Sequence, residues 1–89
     1  MNNKEHDAFV LAQDIERLAD MLDPYGYMDY VQEYHDGDID KSIKSLYNDI
    51  MSGNIKYILD WLLEQAIDPY NSERDQERAL NRFCRLIEL

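Results

Sequence analysis

The sequence predicts an all-α chain: a single domain over residues 1–89, folded as a compact bundle of four to five short helices. Gly occurs three times and Pro twice in 89 residues, too few for the tight turns that a β fold of this length needs. Apolar residues recur at helical spacing in segment after segment. Between those segments stand short punctuation signals, Asp23-Pro24, Asp36-Gly37 and Asp68-Pro69, and no linker or low-complexity stretch. A composition of 45% hydrophobic and 31% charged residues argues against disorder.

The first helix is expected from about Glu5 to Leu22. Ala8, Leu11, Ile15, Leu18, Ala19 and Leu22 form an i, i+3, i+4, i+7 stripe, while Asp7, Asp14, Arg17 and Asp20 fall off it as a solvated face. Proline is costly inside a helix but favoured at its first position after an Asp cap, so Asp23-Pro24 ends one helix and starts another. The second, short helix runs to about Tyr34 and carries Tyr25, Tyr27, Tyr30 and Tyr34. After the His35-Asp36-Gly37-Asp38 turn, a third helix spans Ile39 to Ser52, capped by Asp38 and closed by Gly53 in a left-handed conformation. Its inner face is Ile39, Ile43, Leu46, Tyr47 and Ile50. Asn54 is the expected cap of the fourth helix, about Ile55 to Ile67, which is apolar over more than half its circumference and therefore expected at the centre. Asp68-Pro69 repeats the cap chemistry of Asp23-Pro24, and Ser72 with Asp75 opens the fifth helix, about Ser72 to Glu88. Ala79, Leu80, Phe83, Leu86 and Ile87 are its core face; Glu73, Arg74, Glu77, Arg78 and Arg82 are read as a mixed-sign outer face that serves solubility.

The net charge of −10 is unevenly placed. Residues 1–40 hold 11 acids against Lys4 and Arg17, and the remainder of the chain is nearly neutral. Phosphate contacts need Lys and Arg, so direct nucleic-acid binding and anionic membranes are disfavoured; a protein partner with a basic surface, or self-association, fits better. No apolar run approaches the ~20 residues of a membrane span, and the acidic N-terminus lacks the apolar core of a signal peptide. With one cysteine, no intramolecular disulfide can form, and a cytoplasmic setting is expected.

No catalytic constellation emerges. Asp36, Asp38 and Asp40 match the start of an EF-hand loop, but Lys41 stands where its glycine belongs and Tyr47 where its bidentate glutamate belongs. His6 and His35 have no ligands at metal spacing and read as surface residues. Cys84, beside Phe83, reads as a small buried hydrophobe. No serine sits in a nucleophile elbow, and glycines are too sparse for a phosphate loop. Neither an enzyme nor a cofactor is expected.

The tyrosine segment is the candidate contact surface. One short helix cannot bury four tyrosines against a small core, so Tyr25, Tyr27, Tyr30 and Tyr34 with Asp29, Glu33 and Asp36 form the expected partner-binding set. An alternative role for the acids is mimicry of a nucleic-acid backbone. Asp7, Asp14, Glu16, Asp20, Asp29, Glu33, Asp36 and Asp38 would then stand in for phosphates and block a host nuclease, as anti-restriction or anti-CRISPR inhibitors do.

Leu22-Asp23-Pro24-Tyr25-Gly26-Tyr27-Met28-Asp29-Tyr30-Val31, followed by Asp49-Ile50-Met51-Ser52-Gly53-Asn54 and an apolar helix, resembles small helical domains of unknown function. Those domains occur in the large polyvalent proteins of conjugative and integrative elements of gut Firmicutes. The resemblance covers roughly Leu22 to Ala66. It implies a bacterial mobile-element setting but no particular activity, and it brings no catalytic residues with it.

Overall fold

A 20-residue helix, α1 (Asn3–Leu22), runs through the middle of the molecule, and α2 (Pro24–His35), α3 (Ile39–Ser52) and α5 (Glu73–Glu88) pack against it. The remaining helix, α4 (Lys56–Ile67), packs chiefly on α5. The computed structural model describes residues 3–89, and among them the regular elements are these five helices. The radius of gyration is 12.7 Å, close to the ~12 Å expected of a folded chain this long. The shortest dimension, 18 Å, is about two helix layers.

The core is built on α1. Ala8, Leu11, Ala12, Ile15 and Leu18 are buried there and meet Leu46 and Ile50 of α3, Ile58 and Leu62 of α4, and Ala79 and Leu86 of α5. The alanines let neighbouring helices approach closely, and the alternating Leu and Ile fill the spaces between them. On α3 the inner row is Ser42, Leu46 and Ile50, with Ile43 and Tyr47 partly buried beside it and Ile39 exposed.

The joints follow their local chemistry. Asp23 accepts from the Gly26 N–H at 3.0 Å, and Pro24 takes the first position of α2. Asp36 ends α2 in a left-handed conformation at φ 54°. Asp38 caps α3 through the N–H groups of Asp40 and Lys41. Gly53, at φ 81°, closes α3 with paired backbone bonds, Gly53 N–H to Ile50 and Asn54 N–H to Asp49. Ser72 caps α5 through the Asp75 N–H.

Five expectations are corrected. α1, not α4, is the central helix: Tyr57, Leu63 and Ile67 of α4 are exposed, because the breadth of an apolar arc does not decide how much of it a neighbour covers. Asn54 is not the cap of α4; Ile55 holds that position and supplies no side-chain cap. Asp68-Pro69 does not start a helix as Asp23-Pro24 does. The Asp68 carboxylate instead accepts from the Tyr70 N–H in a turn that Gln76 and Asn71 tie down through the Asp68 and Gln65 carbonyls. Cys84 is exposed, as are Leu80 and Ile87, because α5 turns the row Ala79, Phe83 and Leu86 inward and Cys84 lies one residue, about 100° of helix, past it. Finally, the arginines of α5 are not only a solvated face. Arg85 pairs with Asp14 at 2.8 Å, Arg82 Nε donates to the Asp14 carbonyl at 3.2 Å, and Arg78 reaches the Met21 sulfur, so α5 is clasped to α1.

Candidate functional site

The one-residue joint between α1 and α2 sets the geometry of the site. A Cβ on Gly26 would stand 2.3 Å from the Asp23 Oδ2, so the glycine lets the capping carboxylate fold over the first turn of α2. The helix then turns Tyr27 and Val31, four residues apart, into the protein. The expected tyrosine set is thereby split. Tyr25 and Tyr34 are 85% and 66% exposed, Tyr30 is 42% exposed, and Tyr27 is buried and leaves the surface set. Tyr30 and Tyr34 stack at 5.3 Å between ring centroids, and the Tyr30 hydroxyl lies 3.3 Å from His35 Nε2, which makes His35 a half-buried neighbour of the cluster and not a free surface residue. Asp29, Glu33 and Asp36 are exposed on the same helix and its C-terminal turn, Asp36 near Lys41 at 3.7 Å.

The eight acids proposed as phosphate mimics do not act alike. Asp7, Asp20, Asp29, Glu33, Asp36 and Asp38 are exposed, and Asp38 is engaged as the α3 cap. Asp14 is neutralised by Arg85, and Glu16 is buried.

Behind the tyrosines lies a cleft of about 470 Å³. α1 contributes Ile15, Glu16 and Ala19 to it, and the start of α2 contributes Tyr27 and Tyr30. α4 closes it with Tyr57, Ile58 and Trp61, and Leu46 of α3 forms part of its wall. Asp23 stands at the joint; among the described residues no basic side chain lines the cleft. Glu16 and Tyr27 also line a smaller cavity of about 160 Å³, next to Arg17 and Asp20, and so form the partition between the two.

Glu16 is the unusual group. It is 8% exposed; Ser42 Oγ donates to its Oε1 at 2.8 Å, and its Oε2 is buried with no hydrogen-bond donor. The Tyr27 hydroxyl approaches this carboxylate without completing a hydrogen bond to Oε2. Burial, and then the Glu16 carboxylate, raise the Tyr27 phenol well above its ordinary value. The Tyr57 hydroxyl donates to Asp49, and burial followed by that carboxylate raises the Tyr57 phenol likewise. Tyr30 is raised by burial and then by Glu16 and Asp49. Three phenols therefore keep their protons in a field of negative charge.

This arrangement offers recognition chemistry. Ser42 and Glu16 form a hydrogen-bonded pair, and Ser42 is buried and lines neither of these two cavities. Among the described residues no three His, Cys, Asp or Glu side chains are grouped to hold a metal ion, and no helix is long and apolar enough to cross a membrane.

Sequence reasoning reached Tyr27 and Tyr30 but not Ser42, Asp49, Tyr57 or Trp61, and it counted Glu16 among the surface acids that could mimic phosphates. The signal for Glu16 was present: it lies four residues after Ala12 and eight after Ala8, on a buried row of α1. Ser42 similarly lies four before Leu46 and eight before Ile50. No protein-family model, curated protein or solved structure matches this chain.

Proposed function

We propose that this chain is a non-enzymatic interaction module that docks a basic protein partner on the outer face of α2. The observation that carries this reading is the pairing of strongly exposed Tyr25 and Tyr34 with exposed Asp29 and Glu33. Among the described residues neither of these acids forms a salt bridge, and α2 contains no Lys or Arg. Exposed tyrosines supply rigid contact area, and unpaired carboxylates supply charge complementarity and fast encounter. The resemblance around Leu22–Val31 supports a mobile-element setting. Phosphate mimicry is the weaker reading, because it needs Asp14 and Glu16 at the surface and unpaired.

Affinity capture from the cells that encode the protein, followed by mass spectrometry, tests this. A protein with a basic surface should be retained, its retention should fall as salt rises, and a Tyr25→Ser/Tyr34→Ser double variant of unchanged helicity should lose it. Equal retention by the double variant overturns the reading. Sedimentation of the purified chain over a range of concentrations separates self-association from a different partner.

A further inference from the structure

We infer that the cleft between α1, α2 and α4 is a receptor for an ammonium ion carried on a short apolar stem, with Glu16 as its counter-charge. A free alkylamine and a lysine side chain of a partner share this chemistry. The cleft volume of about 470 Å³ falls within the range of small-ligand sites and far exceeds the room that one water or one ion needs. Its walls sort the candidates. An anion would meet Glu16 and Asp23 and, among the described residues, no basic side chain. A purely apolar molecule would bring no opposite charge to the Glu16 carboxylate, which is buried with one hydrogen bond, from Ser42. A neutral alcohol would supply one donor but no charge. An ammonium group supplies both, and Tyr27, Tyr30, Tyr57 and Trp61 line the same space, offering aromatic rings to a cation and apolar surface to its stem.

Trp61 is the one tryptophan of the chain, so its fluorescence reports on the cleft. The experiment titrates the full chain with n-butylammonium, 1-butanol and butyrate at matched ionic strength, and with a blocked Ala-Lys-Ala peptide. Backbone amide shifts are recorded in parallel. Saturable binding of butylammonium or of the lysine peptide is expected, about tenfold or more tighter than that of butanol, with none for butyrate. Tighter binding of the lysine peptide identifies a protein side chain as the source; tighter binding of butylammonium identifies a free amine. Glu16→Gln, which keeps an acceptor for Ser42, should weaken the amine by about tenfold while helicity by circular dichroism is unchanged. The butylammonium-to-butanol comparison on the unaltered chain decides the matter even if that variant does not fold. Equal affinity for butanol, a folded Glu16→Gln that binds as well as the original, or no saturable change in either signal up to about 50 mM amine overturns the inference. Tyr25 and Tyr34 do not line the cleft, so loss of amine binding leaves partner capture on the outer face of α2 untouched, and the two proposals fail separately.

Discussion

The Ser42 hydroxyl donates to Glu16 Oε1 at 2.8 Å inside the interface of α1 and α3. Removing it with Ser42→Ala leaves a buried carboxylate with neither oxygen bonded. The expected cost is about 1–3 kcal/mol, seen as a lower urea midpoint at unchanged slope. Glu16→Gln keeps the acceptor and discards the buried charge, so its stability is expected within about 1 kcal/mol of the original chain or above it. The order of the two variants is the check: a Ser42→Ala chain as stable as the original contradicts the role assigned to this bond.

The clasp between α5 and α1 has two components that respond differently to salt. The Arg85–Asp14 pair is partly exposed, and Asp14→Asn is expected to cost no more than about 1 kcal/mol, less at high salt. Arg82 is half-buried, where burial lowers its guanidinium from the ordinary value and Asp14 opposes the shift. It donates to two backbone carbonyls, those of Asp14 and Arg78. Arg82→Met keeps the aliphatic stem and loses both bonds, an expected loss of about 1–2 kcal/mol with little salt dependence. Urea unfolding at low and high sodium chloride distinguishes the two.

Alkaline pH should destabilise the protein through the tyrosines of the cleft. Tyr27 and Tyr57 hold their protons more tightly when folded, through burial first and then through Glu16 and Asp49 respectively. A phenol raised in the folded state contributes stability that is fully present below the unfolded value of about 10 and is lost as pH climbs from there toward the folded value. Unfolding midpoints are therefore expected to fall above about pH 10, and Tyr27→Phe and Tyr57→Phe should each flatten the decline. A decline of the same slope in both variants would assign alkaline sensitivity to other groups.

Most of the fold was legible because most of its signals are local. The span of α3, its Asp38 cap and its Gly53 stop all follow from residues within a few positions of one another. The Asp23-Pro24 joint was legible for the same reason, whereas its echo at Asp68-Pro69 was misleading: a cap needs a helix to follow, and none begins until Glu73. The site was legible only in part. Tyr27 and Tyr30 stood out by type, but Glu16 looked like one acid among 19, and its burial depends on Ser42, 26 residues away. Arg82 was read as part of a solvated outer face; its Nε instead donates to the Asp14 carbonyl, again a long-range match that no local pattern contains. Which helix lies at the centre is likewise a property of how helices are arranged, and α4 shows that a broad apolar arc can remain half uncovered.

The joint at Asp23 also sets the mechanics of the molecule. Its N–H still bonds back to Ala19 in α1 and its carbonyl already accepts from Tyr27 in α2, so this one residue belongs to the hydrogen-bond ladders of both helices, while Pro24 has no N–H to donate and the Gly26 N–H turns to the Asp23 carboxylate. Two walls of the cleft, α1 and α2, are therefore joined through a single residue, with no linker between them. The third wall, α4, is attached differently: it follows Gly53 and begins without a side-chain cap at Ile55. That wall is held by its packing on α5 and by the Tyr57 hydroxyl on Asp49, so the width of the cleft is set on this side by side-chain contacts rather than by a shared backbone corner.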